Sequence, residues 1–347
     1  MYEYLTLNYT QQQQKDLIEQ WYQHLDEVFT QTPKEYFVQH HENDPSRQQN
    51  VIFIATDLST KKIVSTVKLF TREMFINGDK CKVAGIGEVS TKPEHRGQGL
   101  SSKLLEMAHQ YLTNNGYMLS FLFSNKYSAM YHSKGWSYVH RDITVEDVNE
   151  KIVPESDGHS LLLERMDTID STTLESYFQI LVEQKPIDQQ QGSIVRSIQY
   201  WKEWIIHNVE PHSKGTIGWV AKDSSTNTIV GHIITSLYGE NSDTMAVKDL
   251  GSIHNKTQQN TCIKTLIKLT IRQYQTCLLN NQSIKYVQYP SPLLITSVLG
   301  GEQTHKLDKS MMVRLCASNN NSVPSSSTTC ESLFPLDSVI YWDIDKL

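Results

Sequence analysis

Residues 80–101 constrain this chain more than any other stretch. The run KCKVAGIGEVST (80–91) is apolar and β-branched, is interrupted by Gly85 and Gly87, and predicts a strand with a bulge. Pro93 ends it, and EHRGQGLS (94–101) follows. Leu100, Leu104, Leu105, Met107, Ala108, Tyr111 and Leu112 then recur at helical spacing, predicting a helix over about residues 99–114 with one buried face. The first amides of a helix lack intrahelical partners and the macrodipole is positive there, so Gly97 and Gly99 offer close-approach N–H donors to a diphosphate. The spacing fits neither G-x-G-x-x-G nor G-x-x-x-x-G-K-[ST], which argues against dinucleotide and P-loop sites.

The run VSTKPEHRGQGLSSKLL closely resembles the coenzyme A motif of the GCN5-related N-acetyltransferase (GNAT) superfamily, [RQ]-x-x-G-x-[GA] after a strand. The resemblance implies that Val89, Ser90 and Thr91 hydrogen-bond the pantetheine arm of acetyl-CoA. It also implies that the loop of Arg96, Gly97, Gln98, Gly99, Leu100 and Ser101 holds the pyrophosphate. Ser101 departs from the motif, standing where Gly or Ala is usual; it is small, and its hydroxyl either adds a donor or crowds one phosphate oxygen.

The surrounding order of elements fits. Leu17, Ile18, Trp21, Tyr22, Leu25, Val28 and Phe29 give a helix over about residues 11–30 an apolar face. Residues 51–56 and 63–70 read as strands of a hairpin, and 118–123 as a buried strand. Residues 124–136 then resemble the superfamily's second cofactor segment, N-x-x-A-x-x-[FY]-Y-x-x-x-G-[FW], matched by Asn125, Ala129, Tyr131, Gly135 and Trp136. The resemblance makes Asn125 and Tyr131 cofactor-binding residues and Tyr131 the general acid for the leaving thiolate. Glu88, beside the expected acetyl position, is a candidate general base; its direction depends on whether a bulge resets the strand register. His95 and His132 are held in reserve.

The second half repeats the first. Ala55, Asp57, Ser59, Thr60, Ile63, Val64 and Val67 meet Ala221, Asp223, Ser225, Thr226, Ile229, Val230 and Ile233 at a constant offset of 166. A strand over 245–253 and a helix over 262–279 continue the copy, yet residues 254–261 (HNKTQQNT) contain neither glycine nor arginine, so the phosphate cradle is gone. Leu174, Tyr177, Phe178, Trp201, Trp204 and Ile205 suggest two helices before the hairpin, and 285–289 a later strand. The arrangement resembles the first two domains of the enhanced-intracellular-survival type acetyltransferases. Those enzymes add a sterol-carrier-like domain, for which too little chain follows Arg314. Their chain-terminal carboxylate serves as base, which gives Leu347 as a further catalytic candidate.

The expected fold is therefore α/β (α+β, mixed sheet) with two tandem GNAT-like domains, the second degenerate. Residues 1–150 are the catalytic domain, and 151–347 the degenerate one with a low-complexity insertion at 317–329 and a C-terminal strand. The boundary falls near 149–159. The polar runs 11–14, 189–191 and 319–329 bury nothing.

A net charge of -6 disfavours a nucleic-acid partner. The absence of long apolar runs disfavours a membrane, and five cysteines without ligand spacing favour neither zinc nor disulfides in a cytoplasmic protein. The expected function is acetyl-CoA-dependent N-acetylation of an amine on a small molecule or peptide. Two alternatives stand beside it: a non-catalytic coenzyme A-binding regulatory protein, and an acyltransferase for a longer acyl group.

Overall fold

The computed structural model describes residues 1–8, 15–148, 161–183, 192–210, 215–239, 242–253, 256–277, 284–290, 301–308, 310–316 and 333. The polar runs at 11–14, 189–191 and 319–329, the expected boundary at 149–159, the C-terminal strand and Leu347 lie outside them.

The chain opens with β1 (Tyr2–Asn8), α1 (Lys15–Val28), α2 (Lys34–Glu42), β2 (Val51–Asp57), β3 (Ile63–Ile76) and β4 (Asp79–Thr91). Next come α3 (Leu100–Asn114), β5 (Leu119–Phe123), α4 (Ser128–His132) and β6 (Ser137–Tyr138). The later elements are β7 (Arg141–Asp147), β8 (Leu161–Arg165), α5 (Ser171–Glu183), β9 (Thr216–Asp223), β10 (Ile229–Tyr238), β11 (Thr244–Ser252), α6 (Lys256–Cys277), β12 (Tyr286–Pro290), β13 (Gln303–Asp308) and β14 (Met311–Leu315).

The strands form two sheets of the same plan. The first runs β1-β2-β3-β4-β5-β14-β6 and the second, read from its other end, β8-β9-β10-β11-β12-β7-β13. In each, the fourth and fifth strands are parallel, and the remaining neighbours whose pairing is described are antiparallel. The sixth place is filled by exchange: β14, late in sequence, pairs β5 and β6, while β7, early in sequence, pairs β12 and β13. The compact units follow the exchange, Met1–Val139 taking in the segment that carries β14, and His140–Asp308 taking in β7.

The duplication read at an offset of 166 reappears as geometry. In the β2–β3 turn the Lys61 amide donates to Asp57 O at 2.8 Å and the Asp57 amide to Lys62 O at 3.0 Å, with Lys61 at φ 56°. In the β9–β10 turn Asn227 donates to Asp223 O at 2.8 Å and Asp223 to Thr228 O at 3.0 Å, with Asn227 at φ 56°. Each turn is locked by an aspartate that accepts from the amide and hydroxyl of the serine two residues on, Ser59 on Asp57 and Ser225 on Asp223.

In the first sheet, Val67, Leu69, Ala84 and Ile86 face α3, packing on Leu100, Leu104, Leu105, Ala108 and Leu112. Ile52, Ile54 and Ile63 on the opposite face lie under Trp21, Tyr22 and Leu25 of α1 and Phe37 of α2. The sequence pattern did not reveal α2, whose short run KEYFVQHHE buries only Phe37 and His41 and so carries little periodicity.

The second unit repeats the helix-on-sheet core, with Cys262, Leu266, Ile267 and Ile271 of α6 on Trp219, Ile233, Met245 and Val287. Here α6 begins at Lys256, six residues before the expected start, because nothing in KTQQNT breaks a helix. Only residues 253–255 separate it from β11, where residues 92–99 separate β4 from α3. The loop itself has been shortened as well as stripped of glycine.

Candidate active site

The site begins where β4 and β5 part. Their parallel pairing runs from Val83 with Leu119 to Gly85 with Phe121 and stops. Beyond it, among the described residues, β4 continues to Thr91 with no strand on that edge. Val89, Ser90 and Thr91 thus sit on a stretch of backbone able to pair with an extended amide chain, as an added strand would.

At the end of this edge lies the glycine loop. Gly97 (φ 77°) and Gly99 (φ 75°) adopt left-handed conformations, and a Cβ at either would point into open space. Gly99 is the N-cap of α3, whose first turn holds no acidic residue, so the free amides of the helix start meet no built-in anion. Arg96 turns its side chain inward, Nε donating to Thr91 O at 3.1 Å, and so closes the loop onto the strand. Tyr2 of β1 braces the other side: its hydroxyl donates to Gln98 Oε1 at 2.7 Å and lies 2.9 Å from His95 Nδ1. Leu100 is buried in the core, leaving its amide as what it can offer a ligand, and Ser101 is half-buried.

Glu88 is decided by the bulge. Across from it the register slips between Thr66, opposite Ser90, and Lys68, opposite Gly87, so Glu88 is an extra residue in β4. It sits at φ 52°, a left-handed conformation that strains a residue bearing a Cβ by about 1 kcal/mol or more. Strict alternation would send Glu88 towards α3 with Ile86; the bulge sends it to the α1 and α2 face instead. There Oε1 meets Lys68 Nζ at 3.4 Å. Oε2 is buried and hydrogen-bonds to none of the described residues. Burial raises the Glu88 carboxyl above its ordinary range, the attraction and hydrogen bond of Lys68 offsetting this only in part.

The surroundings of Glu88 are aromatic and charged. Lys68 Nζ lies 4.1 Å from the Phe70 ring centroid and 5.2 Å from that of Trp21. Phe70 also fills the space over Gly87, where a Cβ would come within 2.7 Å of its ring. Deeper in, Arg72 grips Asp44 through both nitrogens, Nη1 to Oδ1 at 2.9 Å and Nη2 to Oδ2 at 3.2 Å, and Asn50 Nδ2 donates to Asp44 Oδ2 at 2.7 Å. Burial would raise the Asp44 carboxyl, but Arg72 and Lys68 outweigh it and hold it low. Tyr36, stacked on His40 with centroids 5.2 Å apart, is exposed, and its phenol is raised by desolvation from the surrounding protein and then by the Glu88 charge.

Tyr131 is buried in α4, edge-on to Trp136 at 6.0 Å, and burial pushes its phenol up to about 12. Gly135 closes that helix at φ 92° with Arg314 of β14 against it. Asn125 is exposed; the amide of Tyr127 at the start of α4 is capped by Ser124 Oγ at 3.1 Å. Of the two reserve histidines, His95 lies with Nδ1 2.9 Å from the Tyr2 hydroxyl, and His132 with Nδ1 3.1 Å from Trp136 O.

The acetyltransferase (GNAT) domain family matches residues 10–139. Those residues form a GNAT domain. No curated protein matches the chain. The chain is similar in structure to a probable N-acyltransferase from Enterococcus faecalis V583, at TM-score 0.65 and 14% identity, covering 91% of this chain and 73% of the other. It is similar to Eis1 from Mycobacterium abscessus at TM-score 0.58 and 13% identity, covering 91% and 74%. It is also similar to a tandem GNAT protein from the clavulanic acid biosynthesis pathway at TM-score 0.51 and 12% identity, covering 92% and 100%. The fold is thus that of a tandem GNAT protein, with residues 10–139 matching the acetyltransferase (GNAT) domain. Lys68, Asp44 and Arg72 of the GNAT domain escaped the sequence reading. Their signal was present, as three ionisable side chains within 30 residues of a hydrophobic hairpin, but charge on alternate strand positions reads as a solvated face.

Proposed function

We propose that the protein transfers the acetyl group of acetyl-CoA to a primary amine by direct attack within a ternary complex. The observation that carries the reading is the Glu88 carboxylate, turned inward by a strained bulge with one oxygen on Lys68 and the other buried without a described partner. A buried polar atom left open in this way is costly unless something meets it, and an amine N–H is the donor that acyl transfer brings.

The unpaired edge of Val89, Ser90 and Thr91 lies along the pantetheine path, and the backbone of Arg96, Gly97, Gln98, Gly99, Leu100 and Ser101 cradles the diphosphate. The amine lone pair attacks the thioester carbonyl carbon as its proton passes to Glu88 Oε2. The carbon–sulfur bond then breaks, and the leaving sulfur takes the Tyr131 proton, which a phenol raised to about 12 retains until a strong base forms beside it. Asn125 lines the cofactor segment from its exposed loop, and Leu347 remains a terminal carboxylate for the same chemistry. No helix among the described residues is long and apolar enough to cross a membrane, and we place the reaction in the cytoplasm with no nucleic acid or membrane partner.

Calorimetric titration with acetyl-CoA, and thiol release with a panel of primary amines, test this reading. Parent protein should bind acetyl-CoA, and Gly99→Trp, whose side chain enters the open space of the cradle, should bind it at least about a hundredfold more weakly. Glu88→Gln should bind acetyl-CoA as the parent does and lose thiol release. Absence of binding by the parent would overturn the proposal.

A further inference from the structure

Lys68 is the residue that the proposed reaction does not explain. Its amine is fully buried, an uncommon position for lysine, and burial pulls it below the ordinary lysine range while the Glu88 and Asp44 charges push it back up. It is fixed from several directions at once, by the rings of Phe70 and Trp21 and by Glu88 Oε1. The indole of Trp21 is itself anchored, Nε1 donating to Thr66 Oγ1 at 3.0 Å, so this wall of the ammonium's pocket is held in place. A buried ion pair of this kind seldom adds stability over a hydrophobic pair of the same volume, so its presence calls for another account.

We propose that Lys68 is a positioning residue for the acceptor half of the reaction, holding Glu88 ionised and turned so that Oε2 alone is presented to the amine. This rests on the reading of Glu88 as the base. The charged and titratable groups that face the pair are few and alternate in sign. Lys68 and Arg72 come from β3, Asp44 from just beyond α2, and Tyr36, His40 and His41 from α2; burial depresses His40 to about 3 and His41 to about 2 and so keeps both neutral. Among the described residues Lys68 is the cation bonded to Glu88, and Arg72 grips Asp44. Asp44 also supports the Lys68 charge from behind and raises Glu88, so without Lys68 the carboxyl faces burial and a like charge together. Both then favour the protonated form, which can accept no proton from an amine.

The lysine stem brings geometry as well. Glu88 sits in a left-handed bulge with its side chain buried, and a directional partner on Oε1 fixes one placement of the carboxylate.

The test is a titration that needs no acceptor. With carboxyl carbon-13 label in glutamate, and Glu88→Gln to assign the signal, the Glu88 carboxyl is followed against pH in parent, Lys68→Met and Lys68→Arg. Lys68→Met should titrate at least one pH unit higher, and its kcat/KM for thiol release from acetyl-CoA with a primary amine should lose about tenfold or more below the new midpoint. KM for acetyl-CoA should stay unchanged, since the cradle is untouched, and Lys68→Arg should keep the parent midpoint within a few tenths of a unit. Lys68→Gln gives the same readout should Lys68→Met fail to fold, and the double variant Lys68→Met/Glu88→Gln should recover the thermal stability that Lys68→Met alone loses. A Glu88 titration that coincides in the parent and the uncharged Lys68 variants overturns the proposal. The base reading fails separately, if Glu88→Gln keeps the parent kcat/KM across pH.

Discussion

Each unit buries a carboxylate on its fourth strand, and the two are held in contrasting ways. In the first, Glu88 projects from a left-handed bulge and has its carboxyl raised because burial outweighs Lys68; what the two share is one buried oxygen without a described partner, Glu88 Oε2 and Asp249 Oδ1. In the second, Asp249 follows the bulge of β11 on extended backbone. Its Oδ2 meets His232 Nε2 at 3.1 Å and Arg196 Nη1 at 2.9 Å. Burial again works to raise it, but Arg196 and His232 win and leave it low. His232 is pinned at its other nitrogen, 2.8 Å from the Tyr177 hydroxyl, and its ring fills the space that a Cβ at Gly251 would need. One bulge thus carries a carboxyl that burial raises; beside the other, Arg196 and His232 hold a carboxyl low. The bulge residue Lys248, opposite in charge to Glu88, marks the same divergence.

The largest expected effect concerns what the units share. A chain ending at residue 139 lacks β14, whose Met311, Met312 and Val313 are fully buried between β5 and β6. It should fail to give a soluble monomer with a cooperative thermal transition, as gel filtration and circular dichroism would show. A folded, acetyl-CoA-binding 1–139 fragment would break the account of the exchange.

Next in size is the contrast in chemistry. Glu88→Gln should lower kcat by about a hundredfold to ten thousandfold, the usual span for a general base. Asp249→Asn, assayed where it remains folded, should leave kcat within about twofold, since a brace changes stability and not the reacting groups. Equal losses in the two variants would place the second unit in the reaction.

In stability the order reverses. Asp44→Ala removes the carboxylate that both Arg72 nitrogens grip in the first unit and should cost about 3–5 kcal/mol in denaturant unfolding. Asp249→Ala should cost a similar amount while leaving Arg196 partly exposed to water, which places it at the lower end.

The smallest effect is one of pH. His24 is buried with Nδ1 3.2 Å from Ile63 O and Nε2 2.9 Å from Ser90 Oγ, and burial, then the Lys92 charge, pull it down to about 4. The unfolded chain therefore takes up the proton first. Stability from this site is present above pH 6.5 and falls by up to about 1.4 kcal/mol per unit as pH drops towards 4. His24→Gln should flatten that slope by one proton in chemical denaturation at stepped pH; an unchanged slope would assign the titration elsewhere.

Much of this architecture is legible in the amino-acid sequence because it is local. Gly97 and Gly99 announce a left-handed loop, Leu100 to Leu112 a helix face, and the Asp57 and Asp223 turns repeat because short side-chain bonds shape each one within a few residues. The direction of Glu88 was not legible. A bulge is a property of two strands, and only the pairing of Thr66 and Lys68 shows which residue is the extra one. Lys68 and Arg72 misled for a related reason. Alternation with Val67, Leu69 and Thr71 suggests a face in water, whereas α1 and α2 cover that face and supply Asp44 and the aromatic walls. The exchange of β7 and β14 is least legible, since both are short apolar strands that any open sheet edge could accept.

That exchange also bears on how such a chain can change over generations. Each half finishes the other's sheet, so a substitution that ruins the glycine loop of the second copy removes an activity, whereas a deletion of that copy removes a strand from its sibling. A duplicated gene joined in this manner can therefore retire one active centre, and keep the retired copy as scaffold for as long as the working one is needed.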